Sequence, residues 1–258
     1  MPALSVQPNE RVTFRVEYED DDLAVVGKRA GLVTQPGLGH ESDSLLNGLF
    51  ARWGPALQRL GRARDYGLLH RLDRETSGLL VVGLSARAYD ALREAFEQRR
   101  MKKFYWAVCV RAPKVATGLI QKPLAESVAT GPGKKLARIT RTGKPSVTAY
   151  RTLHAGPHAA LLEARPLTGR LHQVRVHLES IGCPILGDGL YAPRAVADAA
   201  PRLMLHAHRL AFDHPVTGAL VDVRTRFPQD LRATMRRLDL PLPGSDAAPR
   251  PGNGAESL

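Results

Sequence analysis

Cysteine is nearly absent: Cys109 and Cys183 are the two in 258 residues, too few for a disulfide framework or a cysteine-based zinc site. No apolar run approaches the ~18 residues needed to span a bilayer. The opening Met1-Pro2-Ala3-Leu4-Ser5 lacks a basic segment followed by an apolar one, so no signal peptide is evident and a cytoplasmic location is expected. Gly-x-Ser-x-Gly, the nucleophile turn of serine hydrolases, does not occur. Gly143-Lys144-Pro145-Ser146 lacks the upstream glycine of a phosphate loop and has Pro where Ser or Thr should follow Lys, which argues against ATP binding. His172 and His177 stand at the wrong spacing for two ligands on one helix face, and no metal site is expected. Acidic residues are also in short supply: 25 Asp and Glu against 37 Lys and Arg give a formal net charge of +12. A surplus of that size points to a polyanionic partner, RNA or DNA before an acidic membrane face.

What is present suffices for a sizeable core, with 43% hydrophobic residues. Val12, Phe14, Val16 and Tyr18 alternate with polar neighbours at the period of a half-buried strand. The acidic run Glu19-Asp20-Asp21-Asp22 reads as a solvated hairpin turn rather than a metal patch, because Leu23 to Val26 resume strand sequence at once. A short helix is expected around Leu45 to Phe50, and a longer one from a Ser85 cap to about Arg100, with Tyr89, Leu92 and Phe96 on one face. Strands follow at Lys103 to Val110, at about 147–154 and 159–165, and in a final hairpin joining 203–213 to 219–227; a short helix falls near Leu231 to Leu238. Strands dominate and do not alternate regularly with helices. The expected class is therefore α+β, a mostly antiparallel mixed sheet with flanking helices. One folded region is expected over residues 10–240, with a disordered tail, rich in Pro, Gly, Ser and Ala, over 241–258.

Three segments carry chemistry. In His70-Arg71-Leu72-Asp73-Arg74-Glu75-Thr76-Ser77-Gly78 a carboxylate lies between two arginines, at the lip of the apolar run Leu79 to Val82. Such a group is suited to staying ionised and reaching a ligand, although a surface ion cluster reads the same way. In Lys102-Lys103-Phe104-Tyr105 the tyrosine lies on the strand face opposite Phe104 and Trp106, where an ordinary core aromatic would also fit. Leu167 to Leu178 reads as a turn at Thr168-Gly169 and a helix from about His172 to Ile181 ended by Gly182. Its spacing puts Val174, Leu178 and Ile181 in the core, and His172, Arg175 and Glu179 on the opposite face, open to an anion or to solvent.

Together and in order, these segments resemble the RluA family of RNA pseudouridine synthases. His70 to Gly78 looks like the family's Asp-bearing motif, Lys103-Phe104-Tyr105 like its Lys-x-Tyr element, and Thr168 to Leu178 like its Thr-Gly-Arg-x-His-Gln-x-Arg-x-His segment. Tyr18 to Gly31 and Leu205 to Leu210, with Phe212 and His214-Pro215, extend the likeness over residues 12 to 230. Arg29 is a departure, standing where relatives usually have Pro. The S4 RNA-binding domain that many relatives carry is not expected here.

The resemblance implies the pseudouridine synthase fold with a central active-site cleft, and isomerisation of a uridine in ribosomal or transfer RNA without a cofactor. Asp73 would act as a nucleophile or as a base at C2′ giving a glycal, the second being preferred. Arg175 would pair with Asp73, and Tyr105 would pack on the detached uracil. Arg71 would fill the space left by the flipped base, and Thr76, Lys102, Lys103, Arg170, His172 and Gln173 would hold the RNA. A monomer without an obligatory protein partner is expected. A non-catalytic RNA-binding module should have lost Asp73 or Tyr105, and a metal-dependent nuclease needs a ligand cluster that the sequence does not offer.

Overall fold

A computed structural model describes residues 5–128 and 135–243. In chain order its strands are β1 (Arg15–Glu19), β2 (Leu23–Lys28), β3 (Ser77–Gly83), β4 (Lys102–Cys109), β5 (Thr117–Gln121), β6 (Leu124–Val128), β7 (Lys135–Ile139), β8 (Val147–Ala155), β9 (Ala160–Pro166), β10 (Leu205–Asp213) and β11 (Leu220–Arg224). The helices are α1 (Leu45–Leu60), α2 (Ala86–Glu97), α3 (Gln173–Glu179), α4 (Arg194–Ala197) and α5 (Gln229–Arg237). The expected α+β class and the antiparallel bias are both found. The chain forms two compact units, residues 1–104 with 206–226, and 105–205 with 227–258. The expected disordered tail lies outside the described residues from 244 onward.

In the first unit β1, β2 and β3 run antiparallel, β3 pairs in parallel with β10, and β11 returns antiparallel on β10. The period-2 pattern sorts side chains onto two faces. Leu23, Val25, Leu79, Val81, Leu210, Phe212, Val221 and Val223 share one face and pack against Leu92 and Ala95 of α2. Ala24, Val26, Leu80 and Val82 on the other face are fully buried too. The β1–β2 turn forms because Asp20 Oδ1 accepts the N–H groups of Asp22 (2.8 Å) and Leu23 (2.9 Å). Asp22 then accepts from Arg87 and from Ser85, the residue whose hydroxyl caps α2 as expected.

α1 runs ten residues beyond the expected Leu45–Phe50. Ser44 and Asn47 form a reciprocal capping box, and Leu45, Leu49, Phe50 and Leu57 are buried. Pro55 is accommodated because the helix breaks at Trp53 (φ −123°, ψ 24°), so the proline falls in the first turn of the restarted segment. At the β3–β10 pairing Gly78 has φ +124°, and a Cβ there would lie 2.2 Å from the Ala207 carbonyl oxygen. Only glycine lets the two backbones approach so closely.

In the second unit β4, β9, β8 and β5 form an antiparallel ladder, with Tyr105 opposite Ala164. A separate hairpin, β6–β7, packs Leu124 and Ala137 against Val176 of α3, with Leu171 and Tyr191 alongside. The helix expected over 172–181 is shorter, Gln173–Glu179, and Gln173 to Leu178 are buried without interruption. Its expected open face, His172, Arg175 and Glu179, is open only in part: Glu179 is exposed and His172 half-buried, but Arg175 is 4% exposed.

Candidate active site

Arg71, Asp73, Thr76, Lys102 and Lys103 lie in the first unit; Tyr105, Arg170, His172, Gln173 and Arg175 lie in the second. Asp73 is half-buried between exposed Arg71 and Arg74, and its carbonyl accepts the Thr76 N–H at 3.1 Å, closing a turn. Both of its neighbours are gripped by residues 28–34. On one side Thr34 Oγ1 donates to the Leu72 carbonyl (2.9 Å) and accepts the Leu72 N–H (3.3 Å). On the other, the Arg74 carbonyl accepts from the Gly31 N–H (2.8 Å) and from Lys28 Nζ (3.1 Å).

Lys28 is 2% exposed, and its ammonium also donates to the carbonyls of Leu32 (2.7 Å) and Arg29 (3.1 Å). A buried ammonium is costly unless its protons find acceptors, and these three carbonyls supply them. The loop that carries Arg29 in place of the family's proline is thus held through Lys28.

The ends of the Asp73 segment are anchored by imidazoles. His70 Nε2 accepts the Val81 N–H at 3.2 Å, and burial, helped by the nearby Lys103 charge, pushes its pKa down to about 3. A neutral ring accepting at Nε2 carries its proton on Nδ1. At the other end His206 Nδ1 lies 2.8 Å from Ser77 Oγ, and its Nε2 lies 2.7 Å from Thr225 Oγ1. Thr76 is buried, and its hydroxyl has no hydrogen-bond partner among the described residues.

Lys103 is half-buried with its ammonium 5.2 Å from the centre of the Phe96 ring, and burial lowers its pKa to about 8. Lys102 is exposed and Tyr105 is 9% exposed.

In the second unit Gln173 does a different job from the expected RNA contact. Its amide NH2 donates to the Val147 carbonyl (2.9 Å) and to Thr148 Oγ1 (2.9 Å). Its oxygen accepts from Thr168 Oγ1 (2.7 Å) and the Arg170 N–H (3.0 Å). Those four bonds use its whole capacity, so it buckles the 168–170 turn to β8 and keeps nothing for RNA. His177 continues the network, 2.9 Å from Thr148 Oγ1 and 3.0 Å from the Lys122 carbonyl. Arg170 is exposed, and its Nε donates to the Pro145 carbonyl (3.4 Å). His172 caps α3 in the left-handed region (φ 51°, ψ 20°).

Arg175 is held by Asp188, which sequence reasoning missed: Nε donates to Oδ2 (2.9 Å) and Nη2 to Oδ1 (2.6 Å). Its guanidinium lies 5.1 Å from the centre of the Tyr191 ring. Asp188 is 1% exposed and also accepts the Leu190 and Tyr191 N–H groups. The one sequence signal was a carboxylate in Gly187-Asp188-Gly189, a composition shared by many ordinary turns.

Asp20, Asp22 and His214 lie close enough to suggest a cation site. Their atoms are already engaged: Asp20 Oδ2 accepts from Tyr18 (2.5 Å) and His214 Nε2 (2.9 Å), and Asp22 pairs with Arg87. The group closes the hairpin, as expected of a turn, and the Asp20 contact raises the Tyr18 hydroxyl pKa to about 12.

Comparison with known proteins agrees with the motif-bearing segments. The sequence profile of RNA pseudouridylate synthases matches residues 22–180, more than half the chain. An uncharacterized RNA pseudouridine synthase of Synechocystis sp. is 32% identical over 220 residues, covering 85% of this chain and 67% of that protein. The ribosomal large subunit pseudouridine synthase D of Zymomonas mobilis is 35% identical over 235 residues, covering 88% and 73%. Among solved structures, human RNA pseudouridylate synthase domain containing 4 superposes with a TM-score of 0.68 at 27% identity, covering 88% of this chain and 94% of that one. Human RNA pseudouridylate synthase domain containing 1 gives 0.69 at 27%, covering 89% and 90%. With profile, relatives and fold in agreement, the chain belongs to the RluA-type family of RNA pseudouridine synthases, isomerases that act on RNA.

Proposed function

We propose that the chain converts specific uridines of structured ribosomal or transfer RNA to pseudouridine in the cytoplasm, as a monomer, with Asp73 as the reacting carboxylate. The observation that carries this is the grip of Thr34, Gly31 and Lys28 on the main chain either side of Asp73. A carboxylate so held needs little reorganisation as the reaction proceeds. The N1–C1′ bond breaks, the base turns, a C5–C1′ bond forms, C5 loses its proton and N1 gains one. Atoms and electrons balance within the nucleotide, so the reaction requires no cofactor. Asp73 acts as a base at C2′ or as a nucleophile at the sugar, and both routes need the same fixed, ionised group.

Arg175, locked by Asp188, is the cation assigned to Asp73, and Tyr105 is assigned to the detached uracil. Arg71 takes the space of the flipped base. Thr76 offers its buried, unpaired hydroxyl to the bound nucleotide, and Arg170, His172, Lys102 and Lys103 hold phosphates. Relatives named for the large ribosomal subunit favour ribosomal RNA as the target.

Mapping pseudouridine in total RNA from cells with and without the gene tests the reading and identifies the site. Asp73→Asn keeps the shape and loses the charge. It should abolish turnover while RNA affinity changes by less than about tenfold, ~1.4 kcal/mol. Pseudouridine formation by this variant above about one per cent of the wild-type rate, a loss of about 2.7 kcal/mol at the barrier, would overturn the assignment.

A further inference from the structure

Tyr191 has no part in the functional assignments above, yet two of the assigned groups meet on it. Its hydroxyl lies 2.6 Å from His172 Nδ1 and accepts the Ala137 N–H at 2.9 Å. Its ring supports the Arg175 guanidinium, with 5.1 Å from Cζ to the ring centre. Its own N–H is bound by Asp188, the carboxylate that grips Arg175 from the side. One aromatic side chain therefore contacts the His172 imidazole and the buried Arg175 guanidinium, and ties both to the β6–β7 hairpin.

A phenol has one proton and two lone pairs, and the Ala137 N–H occupies a lone pair. A phenol is a weaker base than imidazole, so at 2.6 Å the favourable arrangement has Tyr191 donating and His172 Nδ1 accepting. The histidine proton then sits on Nε2. His172 also holds a left-handed backbone (φ 51°), which non-glycine residues seldom adopt, although Asn, Asp and His do so more than most. Such a conformation persists where surrounding contacts impose it, and the Tyr191 contact is one of them.

We propose that Tyr191 is a positioning residue with two separable actions. Its hydroxyl fixes His172 in the tautomer that presents Nε2–H to an acceptor oxygen of the RNA backbone. Its ring, together with Asp188, fixes the guanidinium of Arg175. The proposal rests on the assignment of His172 and Arg175 to the RNA site.

Steady-state kinetics on the stem-loop defined by pseudouridine mapping separates the two actions. Tyr191→Phe removes the hydroxyl and keeps the ring; KM should rise about tenfold, the worth of one good hydrogen bond, with kcat within about threefold. In a His172→Ala background the same change should have no further effect on KM, because the residue through which it acts on RNA is gone; the lost Ala137 contact would be read in thermal melting instead. Tyr191→Leu removes the ring as well, and kcat should fall more than about thirtyfold. Where that variant does not fold, by thermal melting, Asp188→Asn replaces it and should also lower kcat with a smaller change in KM.

Additive effects of Tyr191→Phe and His172→Ala overturn the inference, as does an equal loss of kcat in Tyr191→Phe and Tyr191→Leu. Asp73→Asn activity or an inactive wild-type protein would instead remove the reading on which it rests. An active wild type with an additive cycle removes this inference alone.

Discussion

Lys28 shows how one side chain can set the geometry of a loop forty-odd residues away. Its ammonium is shared by three carbonyls, including that of Arg74. Lys28→Met should cost about 2–4 kcal/mol in urea unfolding, because buried acceptors lose a charged donor. Lys28→Arg should not restore it, since a planar guanidinium cannot reproduce the compact three-way donor. A change below about 0.5 kcal/mol, the ordinary size of a surface substitution, would show the grip to be incidental.

His70 yields a prediction in pH. Its folded pKa is depressed to about 3 by burial, so the folded protein keeps it neutral while the unfolded chain protonates near pH 6.5. The stability it contributes is complete above about pH 6.5 and is lost as pH falls toward 3. His70→Gln, which can still accept the Val81 N–H, should flatten the fall in unfolding free energy between pH 6.5 and 4.5. The slope should decrease by up to about 1.4 kcal/mol per pH unit, one proton's worth. Equal slopes for both proteins in denaturant titrations would contradict the assignment. At this scale the family motif around Asp73 was legible because its residues form one contiguous string. Asp188 and Tyr191 were not, because the contacts that give them meaning reach back 13 to 54 positions.

Among the elements, α3 diverged from expectation in the burial of Arg175. The apolar spacing of Val174 and Leu178 was read correctly, but a helical wheel assumes that the opposite face meets solvent. Here that face is covered at Arg175, by the carboxylate of Asp188, while Glu179 stays exposed; His177, outside that face, is buried against Thr148 and the Lys122 carbonyl. Gln173→Ala should therefore cost about 2–4 kcal/mol in stability, since four polar groups lose their partner at once. Gln173→Glu, nearly the same shape, should be no better, because an acceptor would face the Val147 carbonyl. If either variant kept full thermal stability and lost only RNA affinity, the residue would be an RNA contact after all. α1 was underestimated for a different reason. Gly48, Gly54 and Pro55 weigh against a helix by propensity, whereas the Ser44–Asn47 capping box and burial of the apolar residues outweigh them. The β-hairpins were easier, since period-2 alternation and their turn residues lie within a few positions of each other.

For the whole molecule, the +12 charge is the property that bears most directly on RNA. Several arginines are already paired with carboxylates: Arg87 with Asp22, Arg151 with Glu163, Arg175 with Asp188, Arg202 with Asp230 and Arg209 with Asp222. Such pairs cancel one for one and leave the surplus of +12 for other groups to express. With about 4–7 phosphate contacts, log–log plots of affinity against salt should have a slope of roughly −3 to −5. A slope shallower than about −1 would show that the basic residues do not form the RNA footprint. Among the described residues no helix is long and apolar enough to cross a membrane.

The grip on the Asp73 loop reads main-chain atoms: the carbonyl and N–H of Leu72, and the carbonyl of Arg74. Of the two exposed flanking side chains only that of Arg74 adds to it, Nε donating to the Gly31 carbonyl (3.3 Å). The group at 71 can therefore be exchanged while these main-chain contacts stay in place. On the roles proposed for Asp73 and Arg71, the group that reacts and a group that meets the RNA would be inherited separately, so a descendant of this chain could change its address while keeping its reaction.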